Sequence, residues 1–181
     1  LVVGVQNDFC EGGALAARDT NSLIEPLNRL IHKAEEAGMQ VVFARDWHPH
    51  DHHSFEDWGP HCVQDTPGAA FHPDLYKPSG TIVIDMGTSN EMDGYTPFQD
   101  PVLQGLVSSP SLNSIYIVGQ ALEFCILAAC RDAVWFGKTV VAVEPYIRSA
   151  SLDASEREAV WNLIESFGVI RGRNVPFRTS I

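Results

Sequence analysis

Three stretches of this chain carry residue types that can do chemistry. The densest is Asp46-Trp47-His48-Pro49-His50-Asp51-His52-His53, followed by His61; five of the seven histidines fall between positions 48 and 61. In an extended segment, Asp46 and His48 point to the same face, because the side-chain period is two. Imidazole and carboxylate together suit zinc or a similar divalent ion. The plainer reading is a solvated histidine-rich loop. A uniform terminal histidine run would fit that reading better than an internal one mixed with Asp, Trp and Pro, so the stretch is read as a metal site.

The second stretch is Gln6-Asn7-Asp8-Phe9 with Gly12-Gly13 behind it. Asp8 is either an Asp that bonds its own turn backbone or a general base placed to accept a proton from a thiol. The third is Gly119-Gln120-Ala121-Leu122-Glu123-Phe124-Cys125, a glycine turn leading into a helix. A cysteine in the first helical turn feels the positive end of the dipole, which favours thiolate. Free cysteines are also common small core residues, and Cys130 is read as one. On these residues alone the role of Cys125 stays open.

The elements that must position these groups alternate strand-like and helical runs. Apolar runs at 1–5, 41–44, 81–84, 114–118, 139–143 and 168–170 read as strands. They are nearly continuous rather than alternating, which implies burial on both faces of a parallel sheet. Helical spacing covers Ser22 to Met39, with a capping box of Ser22 and Glu25 or a start at Pro26, and an end at Gly38. Further helices are expected at 122–135 and 154–166. The long irregular stretch from Asp46 to Ser79 is of the kind that carries function. Ligands in open α/β sheets bind beyond the carboxyl ends of strands, and each chemical stretch begins where a strand run stops.

The whole-chain properties bound the partners. With 181 residues, 45% of them apolar, one domain with a sizeable core is expected. The formal charge of −11 repels phosphate backbones and anionic lipid, so nucleic acid and membrane are excluded as expected partners. No apolar run approaches the roughly 20 residues needed to span a bilayer, and no secretory leader pattern is present. The chain opens at Leu1 inside an apolar run, which reads as a start partway into a longer protein. Four cysteines without CxxC spacing point to a reducing, cytoplasmic setting. Self-assembly into a homo-oligomer stays open.

Taken together and in this order, the three sites resemble the isochorismatase-like hydrolases, and within them the nicotinamidases (pyrazinamidases). The resemblance rests on Val5-Gln6-Asn7-Asp8-Phe9, Asp46-Trp47-His48-Pro49 with His52, Ser54 and Phe55, Trp58-Gly59-Pro60-His61-Cys62-Val63, Thr66-Pro67-Gly68-Ala69, Gly87-Thr88 through Asp93-Gly94-Tyr95, and Gly119 to Cys125. It implies an α/β fold of three layers, a six-stranded mostly parallel sheet with helices on both faces. It implies Asp8 as base and Cys125 as nucleophile. It implies metal ligands at Asp46, His48 and His61, with His52 as a fourth, and pocket aromatics at Phe9, Trp58 and Tyr95. The metal is expected to be zinc, with iron or manganese as alternatives. Backbone N–H groups of Ala121 and Cys125 are the implied oxyanion hole, with a non-proline cis peptide between Gln120 and Ala121.

One position departs from the pattern. The family's catalytic lysine directly precedes the Gly-Thr pair, and here that residue is Met86. An uncharged thioether cannot donate a hydrogen bond or stabilise a thiolate. The resemblance therefore implies a small-molecule amidohydrolase, acting on nicotinamide or a similar aromatic amide, whose turnover is in question. Two alternatives are an isochorismatase-type hydrolase of another substrate and a catalytically silent relative that keeps metal and pocket.

Overall fold

A computed structural model describes residues 1–177. Six strands, β1 (Val2–Val3), β2 (Val42–Asp46), β3 (Ile82–Met86), β4 (Ser114–Gly119), β5 (Thr139–Ile147) and β6 (Ile170–Gly172), form one sheet in the order β3-β2-β1-β4-β5-β6. Every neighbouring pair is parallel, as the continuous apolar runs predict. Successive strand residues divide between two cores. Val2, Phe43, Val118 and Val141 face one side; Val3, Ala44, Ile117 and Ala142 face the other.

The first side is covered by α1 (Asn21–Glu36), whose Leu23, Ile24, Leu27, Leu30 and Ile31 form a buried stripe at helical spacing. The second is covered by α3 (Pro101–Val107), α4 (Leu127–Ala133) and α5 (Ala154–Ser166), through Leu103 and Val107, Ala129 and Cys130, and Trp161 and Ile164. No helix among the described residues is long and apolar enough to cross a membrane.

The boundaries differ from the sequence expectation at identifiable points. In α1, Ser22 is already inside the helix and donates to the Asp19 carbonyl, so the Ser22–Glu25 capping box does not form. Pro26 lies in the second turn rather than at the start, where it removes one backbone donor and the helix tolerates the loss near its end. Gly38, at φ +68°, closes the helix as expected. The short helix α3 was not expected, although Asp100 caps it and Pro101 begins it. The segment read as a helix from 122 begins as a π-helical turn, Leu122–Ile126, before α4.

The chain runs outward from β1 to β2 and β3, then returns to β4 on the other side of β1. Strand order therefore reverses between β1 and β4, and the carboxyl ends there open into a crevice. The segments after β1, β2, β3 and β4 converge on that point. Between β2 and β3 the chain is mostly irregular, with one short helix, α2 (Phe55–Trp58).

Candidate active site

Asp46 is the last residue of β2 and is 5% exposed. Buried Gln6, after β1, grips its backbone from both sides. Gln6 Oε1 accepts from Asp46 N at 2.7 Å, and Gln6 Nε2 donates to Asp46 O at 2.7 Å and to Ala69 O at 2.9 Å. The carboxylate is thus fixed, yet Oδ1 is buried with no hydrogen-bond partner. An orphaned buried carboxylate oxygen is costly unless something binds it.

Two imidazoles approach the Asp46 carboxylate. His48 Nδ1 bonds the Gly87 carbonyl at 3.0 Å, and His61 Nδ1 bonds the Gly59 carbonyl at 2.8 Å. A carbonyl can only accept, so both rings carry their proton on Nδ1 and present an Nε2 lone pair. His48 Nε2 lies 3.5 Å from Asp46 Oδ2. One ligand atom from each of Asp46, His48 and His61 falls within 4.8 Å of the others. This is a three-ligand N/O set with its outer hydrogen bonds in place, and it fits a divalent ion such as zinc. Burial lowers the His48 pKa, but the bond and charge of Asp46 outweigh it and the net shift is upward. Burial dominates at His61 and lowers its pKa. Gly87 is required here. It has φ +61°, and a Cβ would collide with the His48 ring.

His52 is not brought into this group. Its Nδ1 bonds Ser54 Oγ at 2.7 Å and its Nε2 bonds the Met92 carbonyl at 2.9 Å, so no lone pair is free for a metal. Instead its ring stacks on His48 at 4.2 Å between centroids. It braces His48 rather than joining the candidate metal set.

The metal set opens into a cavity of about 320 Å³, a size suited to a small ligand. Phe9, Trp58 and Tyr95 line it, as expected, and so do Ala121 and Cys125. Phe124 lines it too and was missed by sequence reading. It meets the Trp58 ring edge-on at 5.1 Å and stacks with Tyr95 at 6.3 Å. Trp58 Nε1 donates to Tyr95 Oη at 3.2 Å, which joins two separate loops into one aromatic wall. The available signal was an aromatic directly before the candidate nucleophile. The apolar stretch Ala14-Leu15-Ala16-Ala17 completes the wall.

Cys125 sits in the π-helical turn after the cis peptide Gln120–Ala121, which falls where the resemblance placed it. The thiol is 5% exposed and belongs to the apolar cluster that also holds Leu122, Ile126 and Met86. Burial pushes its pKa well up, and the Asp46 carboxylate adds to this. The helix-terminus argument for a thiolate is thus overridden by desolvation. Met86, at the end of β3, is 1% exposed and does not line the cavity. Asp8 lies in a 3-10 turn after β1 and is also outside the cavity lining. Its Oδ2 accepts from Cys62 N at 2.7 Å and its Oδ1 from Ala14 N at 3.5 Å. Its carboxylate packs against Gly68, where any Cβ would overlap it.

The isochorismatase domain family matches residues 1–174 of the chain. The nicotinamidase of Escherichia coli is 28% identical over 181 residues, covering 86% of this chain and 85% of that one. The pyrazinamidase of Pyrococcus horikoshii, solved in complex with zinc, superposes with a TM-score of 0.86 at 31% identity, covering 93% of this chain and 94% of that one. PnC1 of L. infantum, solved in complex with nicotinate, gives a TM-score of 0.83 at 28% identity, covering 93% and 88%. With nearly the whole chain matched and the same fold in these neighbours, the chain belongs to the isochorismatase domain family.

Proposed function

We propose that the protein is a metal-containing nicotinamidase-type amidohydrolase that converts nicotinamide to nicotinic acid and ammonia, a step of pyridine nucleotide salvage. The observation that carries this reading is one cavity of about 320 Å³ lined together by Asp46 and His61, of the Asp46–His48–His61 set, by Cys125, and by an aromatic wall. Relatives named as nicotinamidase and pyrazinamidase support it, as does a neighbour solved with nicotinate.

In this mechanism the flat substrate ring lies between Phe9, Trp58 and Tyr95, whose faces suit a heteroaromatic ring. Asp46, His48 and His61 would hold a divalent ion, which would supply a positive charge for orienting the ring. Cys125 Sγ attacks the carboxamide carbon and gives up its proton to Asp8. The oxyanion is met by the N–H groups of Ala121 and Cys125, each such donor being worth about 3 kcal/mol where measured. Asp8 returns the proton to the departing ammonia, leaving a thioester. Water, deprotonated by Asp8, cleaves it to release the acid and the thiol.

A second reading has its own observation. Met86 places no cation beside Cys125, and the thiol is held neutral by burial. A silent relative would bind metal and nicotinamide without turnover. Single-turnover mixing with nicotinamide separates the two. A thioester of Cys125 by mass spectrometry, with one equivalent of ammonia, is the expected result; binding without adduct or ammonia selects the silent relative.

A further inference from the structure

We infer that a second cavity, behind the nucleophile turn, binds a phosphate group through Arg18, Arg148 and Arg157. This cavity measures about 460 Å³ and is lined also by Ser149, Ser151 and Leu122. The chain has only 12 Lys and Arg against 23 Asp and Glu, so three arginines on one cleft concentrate a quarter of its cations.

None of the three has a carboxylate within 4.0 Å among the described residues. Arg148 donates only to neutral groups, the carbonyls of Asp19, Pro145 and Ile147 and the Ser22 hydroxyl, at 3.1 to 3.3 Å. Arg157 spends one N–H on the Ser151 carbonyl at 3.2 Å. Two carboxylates also line the cleft. Glu144 is already paired with Arg171 at 2.6 Å, which leaves Asp19 alone against three guanidinium groups. Burial lowers the Arg148 pKa, and the Asp19 charge offsets this only in part.

A phosphate fits this arrangement better than a carboxylate. A carboxylate offers two oxygens in a plane, whereas a phosphate presents three outward oxygens, one for each guanidinium fork. The volume leaves room for an organic group beyond the phosphate. The cleft also shares its walls with the active-site cavity. Ala14 to Ala17 face the active site and Arg18 faces the cleft; Ala121 and Cys125 face the active site and Leu122 the cleft; Ala150 faces the active site and Ser149 and Ser151 the cleft.

The test is an amide NMR titration of the metal-loaded full chain with inorganic phosphate and, separately, adenosine monophosphate. Saturable shifts are expected at Arg18, Leu122, Ser149 and Ser151, with a dissociation constant of about 1 mM or tighter. An R18Q/R157Q variant should weaken binding by about 10-fold or more, and R18K/R157K should lose less, because the charge survives although the fork does not. Equal affinities point to the phosphate alone as the recognised group; tighter monophosphate binding extends recognition to its organic part. The inference is overturned if shifts are absent or confined to His48 and His61, which would put phosphate on the metal. It is equally overturned if the glutamine variant, folded by its spectrum, binds as the parent does.

Discussion

The two sides of the active-site cavity are built on opposite principles. On the metal side the polar groups are held in place around one unpartnered Asp46 oxygen: Gln6 holds the Asp46 backbone, backbone carbonyls fix both candidate imidazoles, and His52 braces His48. On the nucleophile side, Cys125 shares an apolar cluster with Met86, Leu122 and Ile126, and no cation among the described residues offsets its burial. One side is prepared for charge and the other resists it. Binding and turnover are therefore separable in this molecule, and the two sides can be perturbed independently.

The largest expected effect is on the apolar side. Met86→Lys should place an ammonium beside Cys125, with Asp8 and Asp46 to compensate it. Met and Lys have similar unbranched stems, so packing should change little. The rate of ammonia release should rise by about 10²-fold or more, while nicotinamide affinity changes little, the mark of an interaction made in the transition state. Alkylation of Cys125 near neutral pH should rise in parallel. A parent chain that already turns over at about 10 per second would erase the contrast, because the thiol would need no cation.

On the metal side, Gly87→Ala should push the His48 ring off its carbonyl bond, since the new Cβ and the ring compete for one place. Divalent-metal affinity should fall by about 10- to 100-fold, the usual range for a lost outer contact, while Cys125 reactivity stays as it was. Metal content after dialysis against a graded chelator measures this. If Gly87→Ala instead altered thiol reactivity and spared metal, the division into two sides would be wrong.

The same contrast explains what the sequence made legible. Continuous apolar runs disclosed the parallel sheet, and chemistry at strand ends singled out Asp46, His48 and Cys125 as candidates, because both signals are local; the nucleophile role of Cys125 rested on the family pattern. His61 and Ala121 came from the family pattern. The assignments that changed depend on three-dimensional neighbours. His52 has the right residue type, but Ser54 and Met92 occupy both of its ring nitrogens. Cys125 lies in the first helical turn, but the burial that overrides the dipole comes from the apolar cluster around it, with α5, distant in sequence, packed against this turn. Phe124 faces the cavity through the π-helical turn, a geometry that a period of 3.6 does not encode. The Asp100-Pro101 start of α3 was local and readable, yet the helix is a short seven residues.

The aromatic wall bridges both sides, so its loss should blur the contrast modestly. Trp58→Ala removes one face of the ring slot, the Tyr95 bond and the edge contact with Phe124. Nicotinamide binding should weaken by about 10-fold, from roughly 1.4 kcal/mol of lost ring contact. Metal content should not change. Calorimetric titration of both proteins with nicotinamide provides the check, and unchanged affinity would move the ring slot elsewhere.

The smallest effect concerns how the apolar side is held in place. Glu123, in the nucleophile turn, accepts from the Ser149 hydroxyl and from Ala150 N at 2.9 Å and Ser151 N at 3.1 Å. Its carboxylate thereby ties the turn to the segment that supplies Ala150 to the cavity wall. Burial raises its pKa, but these donors outweigh burial, and the net shift is below the ordinary 4.5. A depressed carboxylate pKa gives stability that is whole above the unfolded value and is lost as pH falls through the folded one. Glu123→Gln should therefore lower stability near neutral pH by about 1 kcal/mol, since the half-exposed position reduces the usual strength of bonds to a charged acceptor. That corresponds to about 3 °C in Tm for a chain of this length. The difference should shrink below about pH 4 as the parent carboxyl takes up its proton. Metal affinity should be untouched, because no metal-side group contacts Glu123. Thermal melts across pH, beside a chelator titration, read both. A stability loss that persists undiminished into acid would show that the carboxylate acts by shape and not by charge.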